Sequence, residues 1–138
     1  MNRKGVLLDA GPIVAFLSRD DANHESAKDL FANCEPPFRS CEAAIAEACF
    51  LMRKVHPDGP AEVAALGRRG LYEIPFTLSA HWPNIEAVLK KYRNRPISLA
   101  DACLIRCAEV FDDPRILTFD SDFSVYRWGR NKTFQFVE

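Results

Sequence analysis

Residues 5–17, with the sequence GVLLDAGPIVAFL, place an aspartate between a run of aliphatic residues and the start of a helix. The residues at 5–9 have the length and composition of a buried strand that ends in Asp9. Pro12 suits the first turn of the following helix, because its missing N–H would have no partner there. Along the rest of the chain, short apolar runs alternate with longer helical patterns, which is typical of β–α–β units around a parallel sheet. We therefore expect one α/β domain over residues 1–138.

The other elements are predicted from hydrophobic periodicity and from the residues that start and stop helices. Ser40 is expected to cap a helix that ends near Val55, and Thr77 or Ser79 is expected to open a helix that reaches Tyr92. Further helices are predicted at residues 13–17, 22–31, 60–69 and 98–111. Further strands are predicted at residues 38–39, 71–76, 115–119 and 133–137.

The composition is that of an ordinary globular protein. Hydrophobic residues make up 48% of the chain and charged residues 27%, which argues against a disordered chain, a collagen or a coiled coil. The 18 basic and 19 acidic residues give a net charge of −1, which excludes a strongly basic or a strongly acidic tail. A local basic face would still be enough to bind nucleic acid.

Two features of the sequence concern the cellular compartment. Asp9 interrupts the first apolar run, so we expect no secretory signal, and no stretch approaches the roughly 20 apolar residues that cross a bilayer. The five cysteines include no C-x-x-C pair, and no nearby His or Cys pair completes a zinc site with Cys103 and Cys107. We interpret the cysteines as small buried hydrophobic residues in a reducing compartment, and we expect a cytoplasmic protein without membrane association.

Acidic side chains directly follow two of the predicted strands. Asp9 ends the first strand, and Asp120 follows the strand predicted at 115–119, with Asp122 two residues further along. In open parallel sheets, ligands bind outside the carboxyl ends of the strands, so these positions suit a functional site. The alternative is that each of these residues caps the helix that comes next.

Two further carboxylates lie in predicted helices. Glu47 has only apolar residues one helical turn away on either side, so we expect it on a buried face, where a cation or hydrogen-bond donors must meet it. Asp101 follows Ser98 by three residues, which is the spacing of a capping box. Asp101 could equally project beyond the helix start into a cleft, and the spacing alone does not distinguish these roles.

A site shared by these acids would suit a hard metal ion. Neighbouring carboxylates repel one another unless a cation lies among them, and oxygen-only clusters favour Mg²⁺ or Mn²⁺. Such a cluster suits metal-assisted hydrolysis of a phosphodiester bond. The sequence contains no G-x-S-x-G, H-E-x-x-H, P-loop or G-x-G-x-x-G motif, so it gives no support to the chemistries that these motifs carry.

Four segments, in this order, resemble the acidic motifs of the PIN domain family. They are LLDAGP at 7–12, AEA at 46–48, SLADA at 98–102 and LTFDSDF at 117–123. The likeness covers essentially the whole chain, and it is strongest to the VapC-type ribonuclease toxins of bacterial toxin–antitoxin pairs.

The resemblance implies a three-layer α/β/α fold with a central parallel sheet, and an RNA endonuclease activity that depends on Mg²⁺ or Mn²⁺. It implies that Asp9 and Asp101 are the main metal ligands, and that Glu47 and Asp120 complete the acidic pocket directly or through water. The role of Asp122 stays open, because family members vary in whether the acid at the position of Asp120 or the acid at the position of Asp122 faces the metal. The resemblance also implies an RNA substrate, a cognate antitoxin protein and a homodimer.

The segment KKYRNR at 90–95 is the candidate for contacts with RNA, because it carries four cations and an aromatic ring shortly before Asp101. It could be a solvated helix end whose cations favour the helix dipole. The sharper hypothesis is a phosphate-binding rim beside the acidic pocket, with the ring stacked on an unpaired base. The candidate substrate-binding residues are Lys90, Lys91, Tyr92, Arg93 and Arg95.

Two rival functions share the expected α/β architecture. One is a non-catalytic module that keeps the PIN fold and binds RNA or protein, and the complete set of four acids argues against it. The other is a phosphoacceptor receiver domain, which needs an acidic pair at the end of its first strand and a lysine after its last strands. Asp9 stands alone at its strand end, and no lysine follows Asp120 before Lys132.

Overall fold

Six α-helices flank a five-stranded parallel sheet in the computed structural model, which describes residues 4–138. None of the helices in this part of the chain is long and apolar enough to span a membrane. The helices are α1 (Ala10–Leu17), α2 (His24–Ala32), α3 (Glu42–Val55), α4 (Gly59–Arg68), α5 (Trp82–Lys91) and α6 (Leu99–Phe111). The strands are β1 (Leu7–Leu8), β2 (Phe38–Arg39), β3 (Tyr72–Glu73), β4 (Arg115–Leu117), β5 (Arg127–Trp128), β6 (Lys132–Thr133) and β7 (Gln135–Phe136).

The strand order places β1 in the middle of the sheet. The order is β3–β2–β1–β4–β7, and every neighbouring pair is parallel. Strand β4 lies directly beside β1, with Leu8 opposite Leu117, so the residues that follow these two strands emerge side by side. Strands β5 and β6 form a separate antiparallel hairpin, whose turn uses left-handed backbone at Gly129 and Asn131.

Two hydrophobic cores lie on opposite faces of the sheet. Leu7 and Ile116 belong to the core under α5 and α6, whereas Leu8 and Leu117 belong to the core under α1 to α4. Neighbouring residues of a strand point to opposite faces, so a strand covered on both sides is apolar throughout. The predicted three-layer α/β/α fold with a central parallel sheet is confirmed.

Several predicted boundaries are corrected by the structure. The helix predicted to reach Tyr92 is divided into a short 3₁₀ turn at Leu78–Ala80 and α5, which begins at Trp82 with a proline in its first turn. Only residues 72–73 of the strand predicted at 71–76 pair in the sheet. The region predicted as one strand at 133–137 contributes to both β6 and β7, and strand β5 was not predicted.

Ser40 does not cap α3, contrary to the prediction. Its hydroxyl donates to the backbone oxygen of Leu8 at 2.8 Å, and Cys41 occupies the N-cap position. Because Ser40 is completely buried, its hydroxyl needs a partner inside the protein, and the end of β1 supplies one. The five cysteines are free thiols, four of them buried as expected, whereas Cys49 is half-buried.

Candidate metal centre

Three aspartates meet at the carboxyl ends of the two central strands. Asp9 follows β1, Asp120 follows the extended residues after β4, and Asp101 lies in the first turn of α6. One carboxylate oxygen of each residue lies within 4.8 Å of the corresponding oxygens of the other two. The sequence predicted this meeting for Asp9 and Asp120, because parallel neighbours end at the same edge of the sheet.

Thr118 connects two of these aspartates. Its hydroxyl donates to Oδ2 of Asp9 at 2.7 Å, and its Oγ1 accepts the backbone N–H of Asp120 at 3.0 Å. The backbone N–H of Ala10 donates to the other oxygen of Asp9 at 2.8 Å, so Asp9 caps α1 and also faces the cluster. The capping role that was one alternative for Asp9 is therefore compatible with a place for its carboxylate in the cluster.

Asp101 combines a backbone role in the helix cap with a side-chain role in the cluster. Ser98 Oγ accepts the backbone N–H of Asp101 at 3.0 Å, which caps α6. The Asp101 carboxylate turns away from this cap, and its Oδ2 accepts a hydrogen bond from the hydroxyl of Tyr126 at 3.1 Å. Since only the backbone of Asp101 is used in the cap, its side chain is available to the pocket.

The three aspartates lie in a pocket of about 240 Å³. Glu47 and Leu51 of α3 also line it, together with Phe119, and none of its lining residues is cationic. Glu47 lies outside the 4.8 Å cluster and is exposed. The expectation that Glu47 is buried was wrong, because the apolar neighbours Phe50 and Leu51 on that face of α3 are themselves exposed or half-buried. The full lining is Asp9, Ala10, Gly11, Glu47, Leu51, Asp101, Phe119 and Asp120.

Burial and mutual repulsion disfavour negative charge at this site. Burial, followed by the charge of Asp9, raises the pKa of Asp101 to about 6, although the hydrogen bond from Tyr126 opposes the shift. Burial is also the main cause that raises the pKa of Asp9. The pKa of Glu47 is raised as well, first by partial removal of its carboxylate from water at the edge of the pocket and then by the charge of Asp9. Carboxylates with raised pKa values in one pocket are typical of a functional site.

Asp122 is directed away from the cluster. Its Oδ1 accepts a hydrogen bond from Nη1 of Arg95 at 2.8 Å, in an ion pair that is partly exposed. Its backbone N–H donates to Oδ1 of Asp120 at 2.8 Å, which begins a one-turn 3₁₀ helix at Ser121–Ser124. Of the two acids that the sequence left open, the structure places Asp120 among the three aspartates and Asp122 beside Arg95.

The cationic segment at 90–95, which begins in the last turn of α5, contains exposed residues and residues with partners inside the protein. Lys90, Lys91 and Arg93 are exposed, as a phosphate-binding rim requires. The ring of Tyr92 is half-buried and packs edge-to-face against Tyr126, with 5.0 Å between centroids. The hydroxyl of Tyr92 accepts the backbone N–H of Arg127 at 2.9 Å. Tyr92 therefore has packing partners inside the protein.

Two residues of the site were missed by sequence reasoning. Thr118 lies in the segment at 117–123 that carries Asp120, so its position two residues before the acid could have identified it as a residue of the site. Tyr126 gave no comparable signal, because a buried tyrosine after a short turn is typical of a core residue. Both act through hydrogen bonds to residues that are distant in the sequence.

The donor set fits a hard divalent cation. All three clustered side chains offer carboxylate oxygens, which are the donors that Mg²⁺ and Mn²⁺ prefer. No lysine or arginine lines the pocket among residues 4–138, so the repulsion between the aspartates is not offset by a neighbouring protein cation. A bound divalent cation would relieve it.

The chain belongs to the PIN domain family, whose model matches residues 6–129. The solved structures include a similar protein, VapC20 of Mycobacterium tuberculosis, described as a toxin that cleaves the sarcin–ricin loop. The two chains are 20% identical and superpose with a TM-score of 0.79, over 88% of this chain and 94% of VapC20. No curated protein matches the chain.

Proposed function

We propose that this protein is a metal-dependent RNA endonuclease that hydrolyses phosphodiester bonds. The observation that carries the proposal is the set of three aspartate oxygens within 4.8 Å of one another in a PIN domain. The likeness in fold to a toxin that cleaves RNA supports the choice of substrate. A non-catalytic binding module would not need three carboxylates held together against their mutual repulsion.

In this proposal, Asp9, Asp101 and Asp120 hold Mg²⁺ or Mn²⁺. A bound cation of this kind supplies Lewis acidity, which activates water and stabilises charge on the phosphate oxygens. Thr118 fixes the orientation of Asp9 and of the backbone before Asp120 through its two hydrogen bonds. Glu47 completes the pocket from α3, and its raised pKa suits the acceptance of a proton from the attacking water.

We also propose that the protein is a VapC-type toxin that acts in the cytoplasm as a homodimer and is neutralised by a cognate antitoxin protein. The family membership and the likeness to VapC20 support this role. A short reading frame directly upstream of the gene would identify the candidate antitoxin. Light scattering that gave only monomer at micromolar concentration would contradict the homodimer.

Cleavage of RNA is expected to require the metal and to leave 5′-phosphate and 3′-hydroxyl ends. The reason is that water, rather than the 2′-hydroxyl of the RNA, is the proposed nucleophile. The experiment treats a mixed RNA substrate with the purified protein in EDTA and after addition of Mg²⁺ or Mn²⁺, and analyses the product ends. Cleavage that persists in EDTA, or products with cyclic phosphates, would contradict the proposal. Metal binding without cleavage of any RNA would favour the binding module.

The exposed cations at the end of α5 are proposed to contact the phosphates of the RNA. Replacing Lys90, Lys91 and Arg93 together with alanine is expected to raise KM and leave kcat nearly unchanged. The salt dependence of binding should weaken by about 0.7 in log–log slope for each phosphate of a single strand that the variant no longer neutralises. In the matched control, Arg68 and Arg69 at the end of α4 are replaced with alanine, because these two cations are also exposed. Equal effects in the two variants would overturn this assignment.

A further inference from the structure

The hydroxyl of Tyr126 supports one of the clustered aspartates from inside the protein. The Tyr126 side chain is completely buried, and its hydroxyl donates to Oδ2 of Asp101 at 3.1 Å. This hydrogen bond joins the turn that follows β4 to the first turn of α6. The second oxygen of Asp101, Oδ1, accepts no hydrogen bond from residues 4–138.

The ring of Tyr126 is held in place by two other aromatic rings. Phe123 packs against it at 5.2 Å between centroids and Tyr92 at 5.0 Å, both edge-to-face. Tyr92 is fixed in turn, because its hydroxyl accepts the backbone N–H of Arg127. The Tyr126 hydroxyl is therefore fixed in position by packing rather than by its bond to Asp101 alone.

We propose that Tyr126 is a positioning residue of the metal centre, whose hydroxyl holds one oxygen of Asp101 and thereby directs the other toward Asp9 and Asp120. The inference rests on the proposed function, since it requires that the three aspartates bind a divalent cation. A carboxylate group rotates easily about its terminal bond, so an unsupported Asp101 would have to be ordered each time a cation bound. Hydrogen-bond partners of metal ligands commonly set metal affinity in this way.

The other two aspartates are restrained similarly, which makes Tyr126 the third member of a consistent arrangement. Thr118 and Ala10 restrain Asp9, and the backbone N–H of Asp122 restrains Asp120. Asp101 differs from Asp9 in that its carboxylate accepts a single hydrogen bond, from the Tyr126 hydroxyl, among the described residues. Removing that hydroxyl therefore leaves the Asp101 carboxylate without its hydrogen bond, whereas the Asp9 carboxylate accepts two.

The test compares two substitutions that each remove one buried tyrosine hydroxyl. Tyr126→Phe keeps the ring and its packing and removes only the donor to Asp101. The matched control is Tyr72→Phe, because Tyr72 is also buried and its hydroxyl donates to the backbone oxygen of Val63 at 2.8 Å, outside the pocket. Mn²⁺ affinity of the purified full chain is measured by isothermal titration calorimetry in the absence of RNA.

Tyr126→Phe is expected to weaken Mn²⁺ binding by about 10- to 100-fold, the usual cost of losing a hydrogen-bond partner of a metal ligand. Tyr72→Phe is expected to bind Mn²⁺ like the original protein, although each substitution also removes a buried hydrogen bond and lowers the melting temperature. If a variant is too unstable for calorimetry, the rise in its own melting temperature on adding Mn²⁺ gives the same comparison.

The outcomes distinguish failure of the positioning role from failure of the metal centre itself. Equal Mn²⁺ affinity in Tyr126→Phe and the original protein would overturn the positioning role and leave the metal centre intact. Equal weakening in Tyr126→Phe and Tyr72→Phe would also overturn it, because the effect would then follow from stability alone. An original protein that binds no Mn²⁺ would overturn both the metal centre and the positioning role.

Discussion

Asp101→Asn is expected to abolish RNA cleavage while leaving the metal-free protein at least as stable as the original. The substitution removes one negative charge from three mutually repelling aspartates and retains the backbone N–H that Ser98 accepts. Cleavage should fall by more than about 100-fold, since even the hydrogen-bond partners of metal ligands contribute about 10- to 100-fold. The measurements are one RNA cleavage assay and thermal melts in EDTA.

The same variant should lose the stabilisation that Mg²⁺ gives to the original protein. A ligand at ten times its dissociation constant stabilises the folded state by about 1.4 kcal/mol, and in a domain of this size that corresponds to roughly 4–6 °C in Tm. Asp101→Asn should show a much smaller rise. An equal Mg²⁺ response in both proteins would show that Asp101 is not a ligand.

Asp122→Asn is the matched control for this experiment. It makes the same chemical change in an acid that lies beside Arg95 and outside the cluster. We expect it to retain the Mg²⁺ response, and to lose at most about 1 kcal/mol of stability, because exposed ion pairs contribute little. Loss of the Mg²⁺ response in Asp122→Asn would assign the fourth acidic motif to Asp122 instead of Asp120.

Metal affinity is expected to rise steeply with pH from about 5 to about 7, because ligands must lose their protons before they bind a metal. Burial and the neighbouring Asp9 raise the pKa of Asp101 to about 6, so protons compete with the metal in this range. The measurement is the Mn²⁺ dissociation constant at several pH values. A constant affinity between about pH 5 and 7 would contradict a raised pKa at the site.

The metal-free protein should show the opposite dependence on pH. The folded-state pKa of Asp101 lies above its ordinary value of 3.8, so the folded state binds this proton more tightly than the unfolded state does. The corresponding stability is fully present below that ordinary value and is lost as the pH rises through about 6. Thermal melts in EDTA across this range should show this loss in the original protein and much less of it in Asp101→Asn.

Long periodic segments were predicted closely, and short elements were not. Helix α6 was predicted at 98–111 and is found at Leu99–Phe111, with Ser98 as its cap. A long helix repeats its hydrophobic pattern over several turns, so the hydrophobic period and the capping residue indicate the same helix start. The short strands carry too few residues to show a period, and residues 71–76 are an example, because only two of them pair.

The burial predicted for Glu47 is an example of a local pattern that gave a wrong prediction. Its apolar neighbours in α3 predicted a buried face, yet Phe50 is 64% exposed and Glu47 lies at the exposed edge of the pocket. Periodicity identifies which residues share a face, but it does not identify what covers that face. Whether other elements cover this face depends on how α3 packs against its neighbours in the tertiary structure.

The sequence by itself determined the α/β class and the strand-end positions of Asp9 and Asp120, because an apolar run followed directly by an acid is a local pattern. The tertiary structure decided which carboxylates meet, and it placed Asp101 in the cluster and Asp122 beside Arg95. The reason is that the orientations of these side chains depend on distant partners. Thr118 is 109 residues from Asp9, and Tyr126 is 25 residues from Asp101, so no local pattern contains both members of either pair.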